Sequence, residues 1–143
     1  MPVSKRNGDY FYIENPYDDF FDIPDDHTFI RYLDITYTNN VHIPYLPNLE
    51  VIKLYDSDIT IPDGLPNLKI IVCQMSEKIK INLENYHNLV IFKEDRTRIL
   101  PLNNNQIDID QVIRNNNINV INLDRRFEDF KINDYIEYCN NRF

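Results

Sequence analysis

Alanine and tryptophan are absent from this 143-residue chain, and glycine and cysteine occur only twice each. Each shortage excludes something. Gly8 and Gly64 alone cannot build the phosphate-cradling loops of P-loop or dinucleotide-binding proteins. No glycine lies between them, so the acidic run YDDFFDIPDD (residues 17–26) has no Gly-bearing turn of a calcium loop. It is expected to be a solvated acidic segment. Cys73 and Cys139 cannot form a disulfide framework, and without a Cys-x-x-Cys pair no structural zinc site is expected. Cys73 is expected to serve as a small apolar core residue. No apolar run approaches the ~20 residues that span a bilayer. Residues 2–15 lack the apolar core of a signal peptide. The expectation is one soluble domain (residues 1–143) in the cytoplasm, with reduced thiols.

Positive charge is scarce as well. Lys and Arg number 15 against 23 Asp and Glu, a net charge of −8. The excess is concentrated at the start. Asp9, Glu14, Asp18, Asp19, Asp22, Asp25 and Asp26 face only Lys5 and Arg6 within residues 1–30. An acidic chain repels phosphate backbones, so nucleic acid is not an expected partner. A basic protein partner and a purely solubilising role both fit. His27, His42 and His87 are scattered, and neither cysteine has a histidine nearby in sequence. No metal, no cofactor and no enzymatic activity are expected.

What the chain has in plenty is Ile, Asn and Tyr. These take AT-rich codons, which points to an AT-rich genome such as that of a giant virus, a slime mould or a parasite. A viral source would put the protein in the host cytoplasm or the virion. Self-similarity is stronger than composition. IPYLPNLEVIKL (residues 43–54) is nearly repeated as IPDGLPNLKIIV (residues 61–72). Taking Ile30, Leu49, Leu68 and Leu89 as position one, position four is Leu33, Ile52, Ile71 and Phe92. Position six is Ile35, Leu54, Cys73 and Glu94, of which only Glu94 misfits an inward apolar site. Position nine is Thr38, Ser57, Ser76 and Thr97, a hydroxyl in every window. A further strand fits INVINLD (residues 118–124), with Ile118, Ile121 and Leu123 at positions one, four and six. Ile109, Val112 and Ile113 share one face of a helix expected within residues 107–116.

These windows resemble the leucine-rich-repeat family, L-x-x-L-x-L-x-x-N-x-L, over residues 29–103. Ser and Thr here take the family's Asn position, with the same hydrogen-bonding chemistry in weaker form. The resemblance implies a β-rich α/β solenoid of four to five short parallel strands over residues 29–124. Ile43, Ile61, Ile81 and Leu102 would line the return side, and the prolines argue for irregular returns. Residues 1–28 are expected to be an acidic, aromatic cap in which Tyr10, Tyr12, Phe20, Phe21 and Ile23 cover the first repeat. A helix over residues 133–140, N-capped by Asn133 or Asp134, is expected to close the far end within residues 125–143.

In such a solenoid, positions three, five and seven point out of a concave sheet. Position three is Tyr32, Val51, Ile70 and Ile91, joined by Val120 if the last strand stacks. Position five is Asp34, Lys53, Val72, Lys93 and Asn122, and position seven is Thr36, Tyr55, Gln74, Asp95 and Asp124. The candidate partner-binding residues are therefore Tyr32, Asp34, Val51, Lys53, Tyr55, Ile70, Val72, Gln74, Ile91 and Lys93. An exposed apolar row usually marks an interaction site. β-propensity alone, or a cap segment folded over the row, would explain it too. Five strands ~4.8 Å apart span only ~20 Å. That face is smaller than the ~800 Å² per partner of a stable interface, so rims, an end cap or a second copy would have to contribute. The reading is a non-enzymatic protein-interaction module. The alternative is a structural component, such as a viral-particle or homo-oligomer subunit, that self-associates through the same face or an end cap.

Overall fold

The structure, a computed structural model, describes residues 3–15, 19–103 and 107–143. Tyr17 and Asp18 of the acidic run lie outside them. Among the described residues eleven strands, two α-helices and two short 3-10 turns are formed. In chain order the strands and α-helices are β1 (Val3–Asn7), β2 (Tyr10–Glu14), β3 (Phe21–Asp22), β4 (Tyr32–Thr36), β5 (Val41–His42), β6 (Val51–Tyr55), β7 (Ile70–Gln74), β8 (Lys78–Lys80), β9 (Val90–Lys93), β10 (Arg98–Leu100), α1 (Ile109–Asn115), β11 (Asn119–Asn122) and α2 (Ile132–Arg142). The main sheet runs β1-β2-β4-β6-β7-β9-β11, and every neighbouring pair except β1–β2 is parallel. The molecule is a β-rich solenoid of parallel strands with two short helices.

Period-two alternation builds this sheet. In β4 and β6, Leu33, Ile35, Ile52 and Leu54 point inward and are fully buried. They meet Ile43, Leu46, Ile61, Leu65, Ile81 and Leu83 from the return segments in one core. The returns are less irregular than expected. β3 pairs with β5 and β8 with β10, both parallel, because extended returns at ~4.8 Å spacing can hydrogen-bond just as the strands do. The hydroxyls at position nine are buried and form a ladder. Thr38 N–H donates to Ser57 Oγ (3.1 Å), Ser76 Oγ to the Ser57 carbonyl (2.7 Å) and Thr97 Oγ1 to the Ser76 carbonyl (2.5 Å).

Both ends differ from expectation. Residues 10–14 are not a cap but another parallel strand. Tyr10 and Tyr12 lie on the outer face, and Phe11 and Ile13 are buried in the core. Five parallel strands form over residues 29–124, at the upper end of the expected four to five, and this one makes six. Asn15, one place before position nine by the ladder register, is fully buried and donates its amide to Thr38 Oγ1 at 3.1 Å. Capping falls to β1, which folds back antiparallel through a two-residue turn where Gly8 has φ of 62°. Of the other residues expected in the cap, Ile23 is buried but Phe20 stands in solvent.

At the other end α1 forms where the apolar spacing placed it, with the Asp108 carboxylate accepting from Gln111 N–H. α2 begins one residue earlier than expected. Lys131, not Asn133 or Asp134, is its N-cap, and Asp134 sits in the first turn, accepting from Lys131 N–H at 2.8 Å. More consequentially, α2 does not close the end of the solenoid. It lies over the outer face of the sheet.

Candidate functional site

The outer face divides in two. Over β6, β7 and β9, the side chains of Val51, Ile70, Val72, Val90 and Phe92 are buried against Phe127, Ile132 and Tyr135. Phe92 is the hub, with edge-to-face contacts to Phe127 (5.4 Å), Tyr135 (4.9 Å) and Tyr138 (5.7 Å). The expectation that Val51, Ile70 and Val72 stand free for a partner is thereby corrected, because the chain's own C-terminus occupies them. Charging Val51 and Ile70 would break this packing and report on stability rather than on binding.

Ile91 and Lys93 are corrected for a different reason, which is register. Ile70 pairs with Val90 and Cys73 with Lys93, one residue away from the expected alignment. Ile91 therefore points inward and is fully buried in the core. Lys93 stands opposite Cys73 rather than on the outer row. The slip has a local cause. In the preceding windows a bulge residue follows position one, and its N–H shares one acceptor with the next N–H. Glu50 and Val51 both donate to the Arg31 carbonyl, and Lys69 and Ile70 both donate to the Glu50 carbonyl. Before β9 and β11 this residue is missing. Asn88 and Asn117 instead take left-handed conformations, φ 62° and 54°, and bond to each other at 2.9 Å. The same slip places Ile121 on the outer face beneath α2 and Val120 on the inner side. Glu94 falls beyond the strand, which removes its misfit, and its carboxylate accepts from Met75 N–H.

The other half of the outer face is open. Tyr10, Tyr32, Asp34 and Lys53 form one side of a cleft of about 530 Å³, and Phe130, Lys131 and Ile132 at the start of α2 form the other. Tyr10 donates its hydroxyl to Asp34 Oδ2 at 2.7 Å. Burial and this bond hold the Tyr10 phenol above its ordinary pKa, so it stays a donor. Asp34 stands opposite Lys53 in the ladder but is engaged by Tyr10. Three of the candidate residues, Tyr32, Asp34 and Lys53, thus converge in one place. Tyr55 and Gln74 are brought together elsewhere. They line a second cavity of about 470 Å³ at the far ends of the strands, with Met75, Glu94, Leu123 and Glu128.

Sequence reasoning placed Tyr10 in a cap and not in the site, and it missed the bulge residues. Asp9, Arg31, Glu50 and Lys69 stack along the rim with alternating charge. Arg31 binds Asp9 (3.2 Å) and Glu50 (2.5 Å), and Lys69 binds Glu50 (3.3 Å). Burial alone would raise the Glu50 carboxyl, but the bonds from Arg31 and Lys69 outweigh it and hold it below its ordinary value. Opposite signs recurring beside position one were the available signal.

Among the described residues no His, Cys, Asp and Glu group is arranged to hold a metal ion. His27 and His42 pair with Asp26 (3.1 Å) and Asp22 (2.8 Å), and His27 packs between Phe11 and Phe29. Burial pushes the thiol of Cys73 up to about 12 and that of Cys139 up to about 11. No helix among the described residues is long and apolar enough to cross a membrane. No protein-family model, curated protein or solved structure matches this chain.

Proposed function

We propose that this chain is a non-enzymatic protein-binding module, a divergent solenoid of the leucine-rich-repeat kind, that docks its partner in the cleft of Tyr10, Tyr32, Asp34 and Lys53. One observation carries the reading. α2 covers the apolar part of the outer face, and its start packs beside Tyr10 and Tyr32 without sealing them, leaving aromatic rings beside fixed charges in a cavity of about 530 Å³. Tyrosine beside positioned polar groups is the usual make-up of an interaction hot spot. The sheet surface alone is small, so Phe130, Lys131 and Ile132 belong to the docking surface. The net charge of −8 favours a protein partner over nucleic acid. The high thiol pKa values fit core roles for both cysteines and give no support to a thiolate nucleophile. The reading places the protein in the cytoplasm, or in the host cytoplasm or virion if its source is viral. The hydroxyl ladder supports the kinship, since it does the work of the family's asparagine.

The test compares baits in quantitative affinity capture from the native source. The cleft variant combines Tyr32→Ala with Lys53→Glu, and the control is Tyr45→Ala, which alters an exposed ring on the return side. A partner that binds the cleft is enriched on wild type and on the control and falls at least about tenfold on the cleft variant. Equal capture on all three baits overturns the assignment of the cleft.

A further inference from the structure

The seven-stranded sheet ends in two unlike edges. The β1 edge carries exposed Lys5 and Arg6, the usual protection of an edge against further pairing. The β11 edge reads Asn-Val-Ile-Asn and carries no charge. Asn119 N–H reaches the Leu89 carbonyl, and Leu123 N–H reaches the Lys93 carbonyl. In a parallel ladder this commits the odd-numbered residues to β9 and turns the main-chain groups of Val120 and Asn122 the other way. No strand among the described residues pairs there. Val120 is 38% exposed, an apolar side chain at an open edge. The Ile113 carbonyl holds Ile118 N–H just before this edge, while Ile109, Val112 and Ile113 of α1 pack half-buried against the core.

We infer that this edge pairs antiparallel with the same edge of a second copy of the chain. Geometry selects the register. A two-fold axis normal to the sheet keeps inner faces continuous, so opposed residues must share parity. Val120 then meets Val120 of the second copy on the axis. The two residues exchange both N–H to carbonyl bonds and cover each other's side chains. Each Asn122 N–H reaches the Ile118 carbonyl of the second copy. Pairing ends there, because Ile118 N–H is already taken by Ile113. Self-pairing fits better than a foreign strand, because the edge is neutral, four residues long and apolar at its midpoint. It also closes the assembly. The charged β1 edges at the two outer ends offer no further pairing, so a dimer results rather than a filament.

The contact is small, well under the ~800 Å² per partner of a tight complex. Each copy carries −8, so like-charge repulsion opposes association and salt relieves it. Sedimentation velocity on the full chain at micromolar to roughly millimolar concentration tests this at low and high NaCl. The expected result is a monomer–dimer equilibrium in the tens to hundreds of micromolar, on the order of a few-fold tighter at high salt. Val120→Lys places two ammonium groups on the axis and weakens the dimer at least about tenfold. Because Val120 is already exposed, the melting temperature of the dilute variant stays that of wild type. Lys5→Ala on the opposite edge leaves the dimer unchanged. A chain that stays monomeric throughout overturns the inference. So does a dimer that Val120→Lys does not weaken, one that Lys5→Ala also disrupts, or one that loosens in salt. None of these outcomes bears on the cleft, whose residues lie at the other end of the sheet.

Discussion

The two halves of the outer face share one hydrogen-bonded ladder and meet water differently. Toward β9 the face presents Val51, Ile70, Val72, Val90 and Phe92, and α2 seals it. Toward β2 it presents Tyr10, Tyr12, Tyr32, Asp34 and Lys53, and it stays open. Tyr32 and Val51 are neighbours at the same position of successive strands, and Val51 and Lys53 share one strand, so the boundary cuts through β6. Backbone geometry is the same on both sides of it. What changes is side-chain polarity: aliphatic and Phe side chains gain by leaving water, whereas a carboxylate and an ammonium lose hydration. α2 stops where covering the sheet would bury charge. An open patch on this solenoid is therefore a part its own C-terminus leaves uncovered, and it is there that the proposed function places a partner able to pair those charges.

The sharpest way to break the comparison is Phe92→Ala. It removes the hub of the aromatic cluster and leaves a cavity between sheet and helix, at an expected cost of about 3–5 kcal/mol. Chemical denaturation measures the loss. Limited proteolysis locates it, with new cleavage expected near the Arg125–Phe127 turn and in α2 before any in β2 or β4. Uniform destabilisation without preferential cleavage there would mean that α2 is no separate layer but part of the core.

The covered half was the part least legible in the sequence. Thr38, Ser57, Ser76 and Thr97 announced the hydroxyl ladder, and Leu33, Ile52 and Ile71 announced the inner face, because each repeats at a spacing that only stacking explains. An apolar row at position three looks the same whether a partner or the chain's own helix lies on it, so Val51 and Ile70 could not reveal their cover. The α2 segment shows an apolar face but no periodic partner to tell it where to dock. Register failed at β9 for a subtler reason. Leu89 and Thr97 keep the spacing of their counterparts while the strand between them slides by one. The missing bulge residue is made up in the turn after Lys93. β2 escaped notice because Tyr-Phe-Tyr-Ile-Glu alternates like a strand but carries no leucine.

A pair of tyrosines sharpens the contrast at intermediate size. Tyr10, in the open half, gives its hydroxyl to Asp34. Tyr135, in the covered half, is fully buried, and its hydroxyl has no partner among the described residues. Burial pushes its pKa up to about 12. Removing a bonded hydroxyl and removing an orphaned one act in opposite directions. Tyr10→Phe leaves Asp34 short of a donor and is expected to cost about 1 kcal/mol. Tyr135→Phe deletes a buried polar group without a bond and is expected to stabilise by about 1 kcal/mol or more. Melting temperatures at neutral pH decide this: both variants moving the same way would sink the account of the two halves.

The smallest effect concerns what the halves share. The rim ladder of Asp9, Arg31, Glu50 and Lys69 runs from the edge of β2 through β4 and β6 to β7, passing from the open half into the covered one. Its central Glu50 carboxyl has a folded pKa below its ordinary value. A depressed folded pKa means that the unfolded chain binds the proton more readily. The contribution is therefore complete above the unfolded pKa near 4.5 and is lost as pH falls through the lower folded value. The partners are exposed and screened, so the ladder is worth only about 0.2–1 kcal/mol. Glu50→Gln should lower stability slightly at pH 7 and converge with wild type in strong acid, below the folded pKa. Equal stability of the two proteins at pH 7 would mean that the ladder orders the rim without stabilising it. In that event Arg31 and Lys69 are held by geometry alone, and the bulges at Glu50 and Lys69, not the charges, keep the strands of both halves in step.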